Sequence, residues 1–272
     1  MDNRYKNFEL SIDNNIAIVS INRPEKANAL HQEAWEELSA VFEFLDATEA
    51  VRVIILKGNG KHFCAGIDLK LLMSLHQMVD HSCEGRKREK IRQFIIKLQA
   101  AINSIEQCRK PVIAAIHSGC IGGAVDLIAA CDLRYASEDA YFCIKEIEMG
   151  MVADLGTLQR LPKIIPYATV CELAYTGRKL GAKEAASIHL INQYFENQAT
   201  LMQKVHGIAQ QIAKHAPLSI RGTKKMLQYS RDHSVSDALD YMATWNAAML
   251  LSDDLKKAFE AKISQKKANF LD

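Results

Sequence analysis

The sequence predicts an α/β protein whose carboxyl-terminal part is α-helical. Three observations carry this. Short β-branched strands alternate with helical patterns from residue 16 to residue 143. The run Pro111-Val112-Ile113-Ala114-Ala115-Ile116 is continuously apolar, as a strand buried on both faces of a parallel sheet must be. After Thr157 the spacing of apolar residues is helical almost to the end. With 272 residues, 49% of them hydrophobic, the chain can bury a large core.

In chain order, residues 8–12 alternate apolar and polar, Asp13-Asn14-Asn15 turns, and residues 16–21 run apolar, which predicts a hairpin. Asn22-Arg23-Pro24 breaks the second strand. Trp35, Leu38, Val41, Phe42 and Leu45 fall at helical spacing and predict a helix over 34–45. Residues 51–57 form a β-branched strand ending at Gly58-Asn59-Gly60, and a loop over 62–69 follows. The polar stretch 71–89 reads as a helix and a connection, 91–105 as a helix, and 111–116 as the buried strand. Residues 119–123 read as a glycine-rich turn opening a short apolar helix over 124–130. Residues 133–136 and 140–143 are two further strands. Helices are predicted over 158–163, 168–174, 182–187, 201–215, 217–230, 234–250 and 253–263, with one late strand near 192–195.

Composition narrows the function classes. A formal net charge of +2 gives no basic excess of the kind nucleic-acid-binding domains carry. Seven scattered cysteines without a Cys-x-x-Cys pair read as reduced core residues. No histidine cluster has ligand spacing, so no metal is expected. No apolar run is long enough to span a membrane. The amino terminus shows no targeting pattern and Asn269-Phe270-Leu271-Asp272 is not a peroxisomal address, so a cytoplasmic location is expected.

The chemistry concentrates in two glycine loops and a set of acids. Ala65-Gly66-Ile67-Asp68 and Gly119-Cys120-Ile121-Gly122-Gly123 each follow a parallel-type strand, the end at which such sheets bind ligands. Glycine allows backbone amides close to a ligand, and one amide from each loop would form an oxyanion hole for a carbonyl oxygen that gains charge. Asp126, Glu146 and Asp154 are carboxylates in apolar company, where burial raises a pKa toward the range useful for proton transfer.

Together these segments resemble the crotonase superfamily, the enoyl-CoA hydratase/isomerase family. The resemblance rests on Asn22-Arg23-Pro24 with Asn28-Ala29-Leu30, on the segment from Phe63 to Leu69, and on Lys110-Pro111 with the strand that follows. Gly119 to Gly123, Cys131-Asp132-Leu133-Arg134, Gln159-Arg160-Leu161-Pro162 and Phe259-Glu260-Ala261-Lys262 complete it. It covers residues 16–262. It implies a spiral of ββα turns over 1–200 carrying the active site, and a helical oligomerisation region over 201–272 that builds a homotrimer or a dimer of trimers. It also implies an acyl-CoA thioester substrate, with Ile67 and Gly123 supplying the oxyanion amides and no separate cofactor. Ala65, Gly66, Asp68, Leu69, Lys70, Ala124 and Lys262 are the implied substrate and CoA contacts, with Arg23 and Lys26 as further candidates.

Within the family the acids decide the reaction. Hydratases carry glutamates at the positions of Asp126 and Glu146, and a glycine where this chain has Asp154. The combination of Asp126, Glu146 and Asp154 is like that of the Δ3,5-Δ2,4-dienoyl-CoA isomerase branch. Moving two double bonds requires removing a proton at C2 and returning one at C6, which implies Glu146 at C2, Asp154 at C6, and Asp126 tuning Glu146. An enoyl-CoA hydratase or Δ3-Δ2-enoyl-CoA isomerase is the near alternative, and a non-catalytic acyl-CoA-binding or RNA-binding homologue the distant one. Glu148 shares a face with Glu146 if the segment is extended, or is a solvated or salt-bridged acid. Asp132 pairs with Arg134 or caps a turn. His62 and His117 read as satisfied histidines, Cys64 and Cys120 as packing residues. Acyl-chain length is expected to be set by the stretch 71–89.

Overall fold

The computed structural model describes residues 4–271. Met1 to Asn3 and Asp272, on which part of the reading of the termini rested, lie outside them. The hairpin forms as predicted: β1 (Phe8–Asp13) pairs antiparallel with β2 (Ile16–Ile21). From β2 onward the main sheet is parallel. β3 (Val53–Gly58), β4 (Val112–Ile116), β6 (Leu133–Ser137) and β9 (Gln193–Phe195) complete a six-stranded sheet in the order β1-β2-β3-β4-β6-β9.

Both faces of this sheet are covered, which explains the unbroken apolar runs. Ile54 and Leu56 join a core built with α1 (Gln32–Ala47) and α3 (Glu84–Gln107), where Trp35, Leu38, Val41, Leu98 and Ile102 pack. Val53 and Ile55 point the other way, to Leu201, Val205 and Ala209 of α8 (Gln198–Ala213). The period of two along a strand sends alternate residues to opposite faces. Each such leucine or valine contributes about 1.5–3 kcal/mol on full burial. The boundary expected at residue 200/201 therefore falls inside a helix that belongs with the sheet.

A second sheet runs beside the first. β5 (Gly119–Ile121) pairs parallel with β7 (Tyr141–Cys143), which pairs antiparallel with the two-residue β8 (Leu180–Gly181). Isolated parallel bridges, Leu30 with Ile67 and Cys64 with Cys120, extend the same stacking. β4, β5 and α4 (Gly123–Ala129) make one strand–strand–helix turn of the expected spiral. One prediction changes here: residues 119–121 are a strand, not part of a turn, because their backbone pairs with β7. The segment after β7, for which the sequence leaves extended chain and another form open, is a 3-10 turn, Glu146–Met149.

The stretch 69–89 holds α2 (Leu69–Met78) and the first residues of α3, seven positions ahead of the predicted start. The remaining helices follow the sequence reading: α5 (Thr157–Arg160), α6 (Tyr167–Thr176), α7 (Ala182–Ser187), α9 (Pro217–Asp232), α10 (Val235–Met249) and α11 (Asp253–Ile263). No helix among the described residues is long and apolar enough to cross a membrane.

Candidate active site

The loop after β3 is pinned from below by Asn28. Its fully buried side chain places Nδ2 2.8 Å from the carbonyls of Asn59 and His62 and 3.1 Å from that of Phe63. Its Oδ1 accepts from Arg23 N at 2.8 Å. Farther along, Leu30 N donates to Gly66 O at 2.7 Å and Asp68 N donates to Leu30 O at 2.9 Å. These two bonds use the groups flanking Ile67 and turn the Ile67 N–H to the opposite side. Cys64 steadies the same turn: its Sγ donates to Asn28 O at 3.1 Å and accepts from Gly66 N at 3.3 Å.

Gly66 has φ +81, and a Cβ there would lie 2.5 Å from Ile121 O and 2.8 Å from Gly123 N. Only glycine lets the two loops come this close. Gly122 adopts φ 55, ψ −126 and donates to Cys143 O at 2.9 Å, and Gly123 then opens α4 with no preceding turn to accept its N–H. Among the described residues neither Ile67 N nor Gly123 N donates to an acceptor within the chain. They are neighbours: a Cβ on Gly123 would lie 3.6 Å from Ile67 N. The result is a pair of free, convergent amides.

The pair opens on a cleft of about 490 Å³. Ala65, Ile67, Asp68, Leu69 and Lys70 line it on one side, Gly122, Gly123 and Glu146 on the other. Arg23, Lys26 and Lys145 add positive charge at its edge, and Leu72, Met149 and Met151 add apolar surface. Asp68 is a structural acid, capping α2 through Lys70 N at 3.0 Å and pairing with Arg23 at 3.3 Å. Ala124 is fully buried and lines no part of the cleft. Lys262 is exposed on α11 and is not part of the cleft of its own chain.

Of the three acids only Glu146 lines this cleft; Asp126 and Asp154 lie outside its lining. Glu146 sits against the glycine turn, with Oε1 3.1 Å from the position a Cβ on Gly122 would take. Its Oε2 is buried without a hydrogen-bond partner among the described residues. Burial pushes its carboxyl above the ordinary range, and the charge of Asp154 adds to the effect. Asp126 lies on α4, three residues past Gly123 and outside the cleft lining. Its Oδ1 accepts from Thr157 N at 2.6 Å. Burial pushes it up to about 7, opposed by Thr157 and reinforced by Glu146 and Asp154. Asp154 keeps solvent access, yet its packed surroundings also raise its carboxyl.

Glu148 takes no part: the 3-10 turn separates it from Glu146, and it is exposed and paired with Lys145. Asp132, expected to pair with Arg134 or cap a turn, accepts from Val112 N and Lys224 Nζ, both at 2.7 Å. His62 Nδ1 lies 3.0 Å from Ser118 Oγ and His117 Nε2 lies 3.0 Å from Gly60 O, as satisfied histidines do. Burial pushes the Cys64 thiol up to about 12, which leaves it unreactive. Neither Thr157 nor the Gln99 amide, which donates to Asp154 O at 2.7 Å, is among the site residues expected from the sequence. Their only signal in sequence is proximity to a predicted acid, in the case of Thr157. Beyond Glu146 lies a second, mostly apolar cavity of about 300 Å³, walled by Met151, Leu158, Tyr167, Cys171 and Tyr175.

The cleft thus joins a pair of free amides to one buried carboxyl, Glu146, with two further acids of raised pKa behind it, an arrangement chemically able to polarise a carbonyl and accept a proton next to it. The sequence profile described as enoyl-CoA hydratase/isomerase matches residues 11–272, and the chain belongs to that family. It is 48% identical over 270 residues to the peroxisomal Δ3,5-Δ2,4-dienoyl-CoA isomerase of Arabidopsis thaliana, covering 98% of this chain and 97% of the relative. It is 41% identical to the mitochondrial Δ3,5-Δ2,4-dienoyl-CoA isomerase of Mus musculus, covering 97% of this chain and 82% of the relative. Among solved structures, an enoyl-CoA hydratase from Bacillus anthracis superposes with a TM-score of 0.87 at 27% identity, covering 98% of this chain and 99% of that one. The spiral fold expected from the sequence is thus the fold observed. The expected cytoplasmic location is overturned: these relatives are named as peroxisomal and mitochondrial enzymes.

Proposed function

We propose that this protein is an isomerase converting 3,5-dienoyl-CoA to 2,4-dienoyl-CoA in the oxidation of unsaturated fatty acids. The observation that carries the reading is the third acid: the charge of Asp154 adds to the upward push that burial gives the carboxyls of both Glu146 and Asp126, which puts the three in one electrostatic neighbourhood. Relatives of the same name at 48% and 41% identity support it.

In this mechanism the thioester oxygen accepts from Ile67 N and Gly123 N. Glu146, whose Oε2 has no other partner, takes a proton from C2. The C2–H electron pair spreads through the conjugated chain to C6 and onto the oxygen, where the two amides stabilise it. Asp154, whose carboxyl burial pushes above the ordinary range, delivers a proton to C6. Atoms and electrons balance within the substrate, and the exchange leaves Glu146 protonated and Asp154 ionised until solvent resets them. Asp126, itself drawn toward neutrality, limits how many of the three acids ionise together. A proton shift of this kind uses no metal or redox cofactor.

Ala65, Gly66, Asp68, Leu69 and Lys70 cradle the thioester side, with Ala124 packed behind the amide pair. The apolar cavity past Glu146 takes the distal acyl chain, which moves the length-setting wall from 71–89 to α6. We assign subunit contacts in a homotrimer or dimer of trimers to α9–α11, the helical part of 201–272 outside the sheet core. Lys262 would reach CoA phosphates from a neighbouring copy. No nucleic-acid or membrane partner enters this reading.

The test offers 3,5-dienoyl-CoA and 2-enoyl-CoA to the purified protein side by side and follows the ultraviolet absorbance of the conjugated 2,4-diene. Isomerisation is the expected result, and hydration without isomerisation overturns the proposal. Asp154→Asn should lower isomerisation at least a hundredfold, on the order of what a general acid contributes. Near-normal turnover in that variant removes Asp154 from the mechanism.

A further inference from the structure

One face of α3 is given over to the loop that carries Asp154. Gln99, Asn103 and Glu106 lie four and three residues apart, which places them in one stripe of the helix. Gln99 Nε2 donates to the Asp154 carbonyl at 2.7 Å. Asn103 Oδ1 and Glu106 Oε2 each accept from Arg160 Nη2 at 2.7 Å, and Glu106 Oε2 also takes Arg160 Nε at 3.2 Å. The same guanidinium packs under Gly156 so closely that a Cβ there would lie 1.8 Å from Nη1. Gly156 has φ +130, a conformation open to glycine, and it leads directly into Thr157, the donor to Asp126.

Glu106 has a second partner. Its Oε1 accepts from Arg231 of α9 at 2.5 Å, and its carbonyl accepts from Gln228 Nε2 at 2.6 Å. Although burial alone would raise this carboxyl, the two guanidiniums hold it below the usual range. Glu106 therefore stays ionised and bridges Arg160 to the helical region. Ala153 and Leu155 are buried on either side of Asp154, so the backbone there has little freedom except at the carbonyl that Gln99 holds.

We propose that Gln99, backed by the Arg160–Glu106–Arg231 network, is a positioning residue that fixes the Asp154 loop so that the acid meets C6 of the substrate. This rests on the proton-donor role proposed above for Asp154. A displacement of about 1 Å at a reacting group can cost up to a hundredfold in rate, so one such hydrogen bond matters if the acid must meet a distal carbon.

The test separates the two ends of the proton path. Gln99→Leu and Gln99→Met remove the donor at a half-exposed helix position and keep the side-chain bulk. Two readouts are taken: formation of the 2,4-diene, and exchange of the C2 hydrogen of 3,5-dienoyl-CoA with D2O, which needs only Glu146 and the amide pair. The expected result is a fall in kcat for isomerisation of about tenfold, with KM within about twofold and C2 exchange retained. Glu106→Gln should show the same split. Wild-type isomerisation in both Gln99 variants, or a parallel loss of exchange and isomerisation, overturns the positioning role. Asp154→Asn distinguishes the two ideas. If that variant is inactive while the Gln99 variants are normal, positioning alone fails. If it turns over normally, the proton-donor reading fails with it.

Discussion

Asp126 occupies a place where an ionised carboxylate is costly, and this makes stability depend on pH with an unusual sign. Its pKa rises from the ordinary aspartate value of about 4 to about 7 in the folded chain, chiefly through burial. Between those values the folded state holds a proton that the unfolded state has released. Stability from this group is therefore fully present below about pH 4 and is lost as pH rises through about 7. Asp126→Asn keeps an acceptor for Thr157 N and removes the titration. The variant should match wild type in urea midpoint at pH 4 and exceed it at pH 8; equal midpoints at both would mean the carboxyl is not strained. The acids themselves were readable because charged residues in apolar runs are conspicuous. Their partners were not, since Thr157 and Gln99 act across 31 and 55 residues of chain.

α6 shows how an element legible in sequence can carry a role that is not. Its helical spacing predicted it to within a few residues, but nothing in that spacing said that Tyr167, Cys171 and Tyr175, at intervals of four, would wall a cavity entered past Glu146. The cavity depends on Glu146 facing two spaces at once, which is a tertiary fact. Cys171 stands at the middle of that wall, so Cys171→Trp should fill the cavity. The expected outcome is a drop of about tenfold in kcat/KM for long-chain dienoyl-CoA with short-chain substrates within about twofold, measured across a chain-length series. An even loss across all lengths would place the acyl tail elsewhere. The strands divide in a similar way. β3 and β4 were plain because burial on both faces forces a β-branched or apolar run. β5 was hidden by glycines, since Gly119 serves a strand while Gly122 and Gly123 serve the turn and the amide. β8 has two residues, too few to hold any pattern.

At the scale of the molecule, the described chain is complete around the sheet and open along its last helices. α8 is sealed against the strands, whereas α10 buries none of its residues. Val235 and Leu239, one turn apart on α10, are 77% and 64% exposed, and Leu251 beyond it is 91% exposed. An apolar stripe of this kind on a chain with an otherwise mixed surface marks an interaction site. If the proposed assembly buries it, wild type should sediment as three or six chains. Leu239→Lys would place a charge in the centre of the contact at no cost to the fold of one chain, because the side chain touches little of its own protomer. The variant should sediment as a monomer with an unchanged far-ultraviolet spectrum. The same variant tests the proposed reach of Lys262 between copies. Separated chains would keep the amide pair and the acids but lose a phosphate contact, so KM for the CoA substrate should rise, more so at low salt, while kcat falls less. A single-chain wild type, or a monomeric variant with unchanged KM, would detach CoA binding from assembly and leave the cationic edge of Arg23, Lys26 and Lys145 to hold the phosphates alone.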